Sequence, residues 1–204
     1  PGHSIDDAKA AVGGALDGLA GHVSAAWRPC CRPLERLCTD GLLVLGSAAA
    51  AVDPLTGVDL PHVLRMAEIL SVDTGALGGS TDVRCRAAAR FQRVVGGELS
   101  QRRLVRGFVH GLAPGDREAA VLSGALGGLF WHAAASGGGV LPPLVLGTRS
   151  LSRLPRRLRR PWLQLVGRCA AVAVHYRRYP ASRDLFELDR WQRAVERLFE
   201  DQGP

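Results

Sequence analysis

The chain has almost no lysine, no asparagine, one methionine and few aromatic residues. Lys9 is the only lysine among 26 basic residues, and two Tyr, five Phe and four Trp make up the aromatic 5%. So few aromatics leave little with which to stack nucleobases, and no aromatic motif or zinc-finger spacing of a familiar nucleic-acid module occurs. Without asparagine there is no Asn-Gly hairpin signal, and no long run alternates polar with apolar residues. No 20–50-residue repeat points to a solenoid. Acidic residues are missing between Glu118 and Asp184. Cysteine is sparse and odd in number: Cys30, Cys31, Cys38, Cys85 and Cys169. That count and spacing fit neither a disulfide framework nor a zinc site, and predict reduced, buried thiols in the cytoplasm or nucleus.

What is present is apolar. Of 204 residues, 47% are hydrophobic and 22% charged, enough for one globular domain and too apolar for a disordered chain. The 25 Gly show no three-residue period, which excludes collagen. The excess of Arg, Ala, Gly and Pro fits GC-rich coding. The chain opens without an initiator Met or a secretory signal, as expected of a fragment or processed chain.

Apolar spacing is helical nearly throughout. Ile5, Val12, Leu16, Leu19, Val23 and Trp27 form one stripe after Ser4. A second helix is expected from Pro33 through Leu34, Leu37, Leu42, Leu43 and Leu45. Asp53-Pro54 and Gly57 mark a turn, His62 to Leu70 a short helix, and Thr74 to Ser80 a loop. Asp82 is expected to cap a helix bearing Val83, Ala87, Phe91, Val94 and Val95, with Gly96-Gly97 as its stop. Glu98 to Leu112, Trp162 to Tyr176 and Leu185 to Phe199 repeat the pattern. Residues 119–136 carry no charge and are expected to form a helix buried on all sides, broken by Gly137-Gly138-Gly139. The fold expected is therefore all-α: a single domain over 4–201, a multi-helix globular bundle of about seven to nine helices around that central apolar helix.

Charge is unevenly placed. Residues 149–204 hold the whole net charge of +7. The cluster Arg149, Arg153, Arg156, Arg157, Arg159 and Arg160 is expected to form a connector over 149–161, with Pro155 and Pro161 limiting any helix to a short piece. Unpaired Arg favours an acidic partner. Leu151, Leu154 and Leu158 between the Arg serve either an anionic membrane surface or anchorage to the core. Trp162 and Trp191 are candidate aromatic anchors for a partner. Arg102, Arg103 and Arg106 are candidate nucleic-acid contacts if Glu98 to His110 follows a Gly turn as a recognition helix.

Catalytic signatures are weak. Ser123-Gly124 completes no nucleophile elbow, the Gly-rich segments lack a phosphate-loop Lys, and Asp116/Glu118 and Asp6/Asp7 read as helix starts. Trp131-His132 reads as core. The expectation is a non-catalytic, regulatory or scaffolding interaction domain that needs no cofactor and no metal. A protein partner comes first and self-association is an added option. The alternatives are a nucleic-acid-binding domain and a lipid or hydrophobic-ligand carrier or membrane-associated regulator.

Overall fold

The computed structural model describes residues 37–39, 42–44, 49, 52–55, 57, 60–72, 80–126, 144–145, 147–181 and 184–199. The expected first helix, the Trp131-His132 pair and the Gly137–Gly139 break lie outside these. Within them the chain is helical, apart from one small antiparallel pair. Strand β1 (Cys38–Thr39) meets β2 (Leu42–Leu43), with Cys38 opposite Leu43 and Thr39 opposite Leu42. This corrects the helix expected across Leu37 to Leu43. The two strands flank Asp40-Gly41, and Asp-Gly is a strong hairpin dipeptide.

Helix α1 (Leu60–Val72) follows a turn in which Asp53 Oδ1 accepts the Leu55 amide at 2.8 Å and Gly57 takes φ +74°. Helix α2 (Thr81–Phe91) starts after Ser80, with Asp82 in its first turn rather than at the cap. It runs through a π-helical turn (Gln92–Gly96) straight into α3 (Gly97–Gly111). Gly96-Gly97 is thus no stop. Its role is proximity: a Cβ on Gly97 would sit 3.0 Å from the Tyr176 Cβ, so only glycine lets the neighbouring helix come this close.

That neighbour is α5 (Arg156–Arg177), the longest helix described, 22 residues and about 33 Å. It lies antiparallel to α3. Gly97 meets Tyr176, the Cys169 thiol lies 3.9 Å from the Gln101 carbonyl, and Phe108 meets the Trp162 ring edge-on at 6.0 Å. Ser100 donates to the Tyr176 hydroxyl at 2.7 Å. Of the expected inward face, Trp162, Leu165, Cys169, Val172 and Tyr176 are buried and Val166 is partly exposed. Pro161 sits inside α5 instead of ending it. At the sixth helical position it withholds a single intrahelical donor, and Pro155 pre-sets the entry.

Helix α4 (Pro114–Leu122) replaces the first part of the expected central helix. It ends at Leu122, because Ser123 Oγ donates back to the Ala120 carbonyl and accepts the Ala125 amide, and Gly124 takes φ +78°. Val121 and Leu122 are 48% and 78% exposed, so this segment is not wrapped by its neighbours. The centre of the molecule is α3 against α5. Helix α6 (Leu185–Arg197), capped by Asp184 accepting the Phe186 amide at 2.9 Å, closes over them.

Two apolar clusters result. One joins Leu37, Ala49, Met66, Ile69, Ala87, Ala88, Phe91, Val95 and Leu99. The other includes Ala89, Leu104, Val105, Leu154, Leu158, Trp162, Leu165, Val172, Trp191 and Val195. The continuous α2–α3 rod contributes to both. Among the described residues no helix is long and apolar enough to cross a membrane.

Candidate functional site

Beside the contact of α3 with α5 lies an open groove of about 1240 Å³, lined by residues of both helices. Small residues make the space. A Cβ on Gly111 or on Gly167 would meet nothing within 4 Å. Phe108, Leu112, Leu165 and Phe199 give the groove apolar walls, and Arg103, Arg168 and His110 put polar groups along it. Arg103 lies over the Phe199 ring at 5.2 Å, so its charge is held beside the apolar wall instead of swinging into solvent. A smaller hollow of about 390 Å³, lined by Ala170, Ala171, Val174, Ala194 and Leu198, opens between α5 and α6 and shares Ala171 with the groove. The surface beside α5 is therefore a trough with apolar walls and cationic lips, a shape suited to an amphipathic ligand.

The upper end of α5 is pinned. Trp191 Nε1 donates to the His175 carbonyl at 3.2 Å, and His175 Nε2 donates to the Trp191 carbonyl at 3.1 Å. Tyr176 and Tyr179 meet the Trp191 ring edge-on at 5.0 and 4.8 Å. Arg93 donates twice to the Tyr179 carbonyl, at 3.0 and 2.7 Å. These contacts fix one wall of the trough.

Sequence-predicted residues divide sharply in this framework. Arg149, Arg153, Arg156 and Arg160 are exposed. Arg157 is spoken for by Asp116, its Nε 2.7 Å from Oδ1, and Arg159 folds back on the Leu154 and Ser152 carbonyls at 3.1 and 2.9 Å. Leu154 and Leu158 between them are core, the anchoring role. Residues 156–160 are the opening of a helix and not a connector. Trp162 and Trp191 are 0% and 6% exposed, so they build the interior and present no anchor to a partner. The nucleic-acid trio also separates. Arg102 is fully buried and paired with Asp53, Arg103 stacks on Phe199, and Arg106 is exposed. A recognition helix after a Gly turn is excluded, because α2 and α3 are continuous.

Titration follows burial. The Cys169 thiol, walled in between α3 and α5, is pushed up to about 12. Burial also raises Glu98 above its ordinary 4.5, against the opposing pull of Arg65, which donates to it at 2.8 Å, and of Arg102. Cys85 and Cys169 are free thiols, and no cluster of metal-ligating side chains occurs among the described residues.

No family model matches the chain. It is 35% identical over 96 residues to digeranylgeranylglycerophospholipid reductase 2 of Methanothermobacter thermautotrophicus. The match covers 44% of this chain and 24% of that protein, so the chain spans about a quarter of the curated relative it matches. The expectation of a non-catalytic regulatory or scaffolding domain is corrected by this finding: the chain shares sequence with an enzyme. What sequence reading missed is the groove, although Gly107-x3-Gly111 on α3 and Gly167 on α5 put small residues on helical surfaces where apolar neighbours would otherwise fill the space.

Proposed function

We propose that this chain is part of a reductase acting on a prenylated phospholipid or a lipid of the same build, and that the α3–α5 groove holds the substrate's apolar chain. The observation that carries this reading is the identity shared with the phospholipid reductase. The groove supports it physically. Phe108, Leu112, Leu165 and Phe199 offer an isoprenoid chain an apolar wall, and Arg103 and Arg168 are forks of the kind that bind phosphate. In this role the chain grips and orients the lipid. The reduction itself adds two electrons, drawn from a separate reductant, and two protons across an isoprenoid double bond.

The test uses the full protein and a geranylgeranylated ether phospholipid. Native mass spectrometry should show the lipid bound. Gly167→Trp and Gly111→Leu, which fill open space without touching the core, should weaken binding by roughly tenfold or more while leaving the melting temperature intact. With dithionite supplied as reductant, the bound lipid should gain hydrogen mass. Unchanged lipid binding in both filled variants sinks the groove assignment, and a lipid that binds but is never reduced sinks the reductase assignment.

A further inference from the structure

Arg149, Arg153, Arg156 and Arg160 have no part in the groove, and each is exposed. None of the four is in an ion pair among the described residues, although their neighbours Arg157 and Arg159 are both engaged. No carboxylate occurs in sequence from 119 to 183, so the segment supplies nothing to neutralise them. Arg156 and Arg160 are one turn apart on α5, and Leu163, 51% exposed, continues their stripe. Val121, Leu122 and Val145 are exposed too, at 48%, 78% and 49%. These belong to adjoining segments. The turn after α4 lies against the Gly147 turn so closely that a Cβ on Gly147 would be 3.0 Å from the Ala125 carbonyl, and Gly124 faces Ser150. Asp116 of α4 holds Arg157 at the start of α5.

We infer that this end of the molecule docks on an anionic bilayer surface. The four guanidinium groups meet lipid phosphates, and Leu122, Val145 and Leu163 enter the boundary between headgroups and acyl chains. The combination argues for this occupant. Exposed apolar side chains on the same stretch as the arginines suit an anionic membrane, whose acyl boundary takes the apolar groups while its phosphates take the guanidinium groups. An anionic membrane uses both, and the charge complementarity is direct. The inference goes beyond the reductase reading and does not depend on the groove.

Co-sedimentation of the full chain with vesicles tests it. Binding is expected to phosphatidylglycerol mixed into phosphatidylcholine, to fall as salt rises, and to be absent with phosphatidylcholine alone. Arg149→Gln, Arg153→Gln, Arg156→Gln and Arg160→Gln together should reduce binding on the order of a hundredfold or more. Leu122→Ser with Leu163→Ser should reduce it roughly tenfold with every charge kept. All these side chains are exposed, so circular dichroism should show the variants folded. Binding that ignores the two leucines while oligonucleotides compete for it overturns the proposal in favour of a plain polyanion site. Equal binding to both vesicle types, or none, overturns it outright. Lipid binding in the groove, read separately by mass spectrometry, is untouched by either result.

Discussion

Arg102 and Asp53 form a buried ion pair that is costly to separate. Their side chains are 1% and 4% exposed, and Asp53 also holds the turn before α1 through the Leu55 amide. Asp53→Ala would remove the carboxylate that pairs with the buried Arg102 guanidinium. The expected loss is about 3–5 kcal/mol in urea unfolding, and the double change Asp53→Leu with Arg102→Met should recover much of it. Glu98 behaves differently. Its folded-state pKa lies above 4.5, so its contribution to stability is complete below that value and is lost as pH rises through the folded value. Glu98→Gln removes this term. The urea midpoint of the wild type should therefore fall relative to the variant's as pH rises above 4.5. Cys169 is raised to about 12 and has no exposed surface, so iodoacetamide at neutral pH should label the partly exposed Cys85 and spare Cys169 until the protein is unfolded.

Among helical elements, glycine position decides the sign of a substitution. Gly97→Val drives a branched side chain into Tyr176 and should cost about 1–3 kcal/mol, read as a lower thermal midpoint. Gly167→Ala enters open space on an exposed helical surface and should gain about 0.5–1 kcal/mol. The same contrast explains what could be read from sequence. Most of the apolar stripes of α5 and α6 were legible, Leu185 at 52% exposed being a departure, because burial of one face imposes a 3.6-residue period whatever the partner is. Helix ends were less legible. Gly96-Gly97 and Pro161 look like stops on local propensity alone, yet packing against Tyr176 and a position near the start of α5 overrule it. The charge-free run after residue 119 misled for a related reason. Absence of charge says that burial is permitted, not that a helix continues, and Ser123 and Gly124 redirect the chain. The pairing of Cys38–Thr39 with Leu42–Leu43 has its signal in the Asp40-Gly41 dipeptide, which the surrounding leucines outweigh on periodicity alone.

At the scale of the whole molecule, the site was less legible than the fold. A groove depends on how two helices pack, and that packing is set by pairs of residues far apart in sequence, such as Gly97 with Tyr176 and Phe108 with Trp162. The clustered arginines were visible at once, but sequence could not divide the four that face solvent from Arg157, claimed by Asp116, and Arg159, claimed by carbonyls. The rod formed by α2, the π-helical turn and α3 has its own consequence. Ala87, Phe91 and Leu99 belong to one apolar cluster, and Ala89, Leu104 and Val105 to the other. The rod is an axle shared by both halves, so neither half can melt and leave the other standing. Amide protons of α2 and α3 should exchange with deuterium at one common slow rate, and a core truncation at Phe91 should quicken exchange at Val105 as much as at Val95.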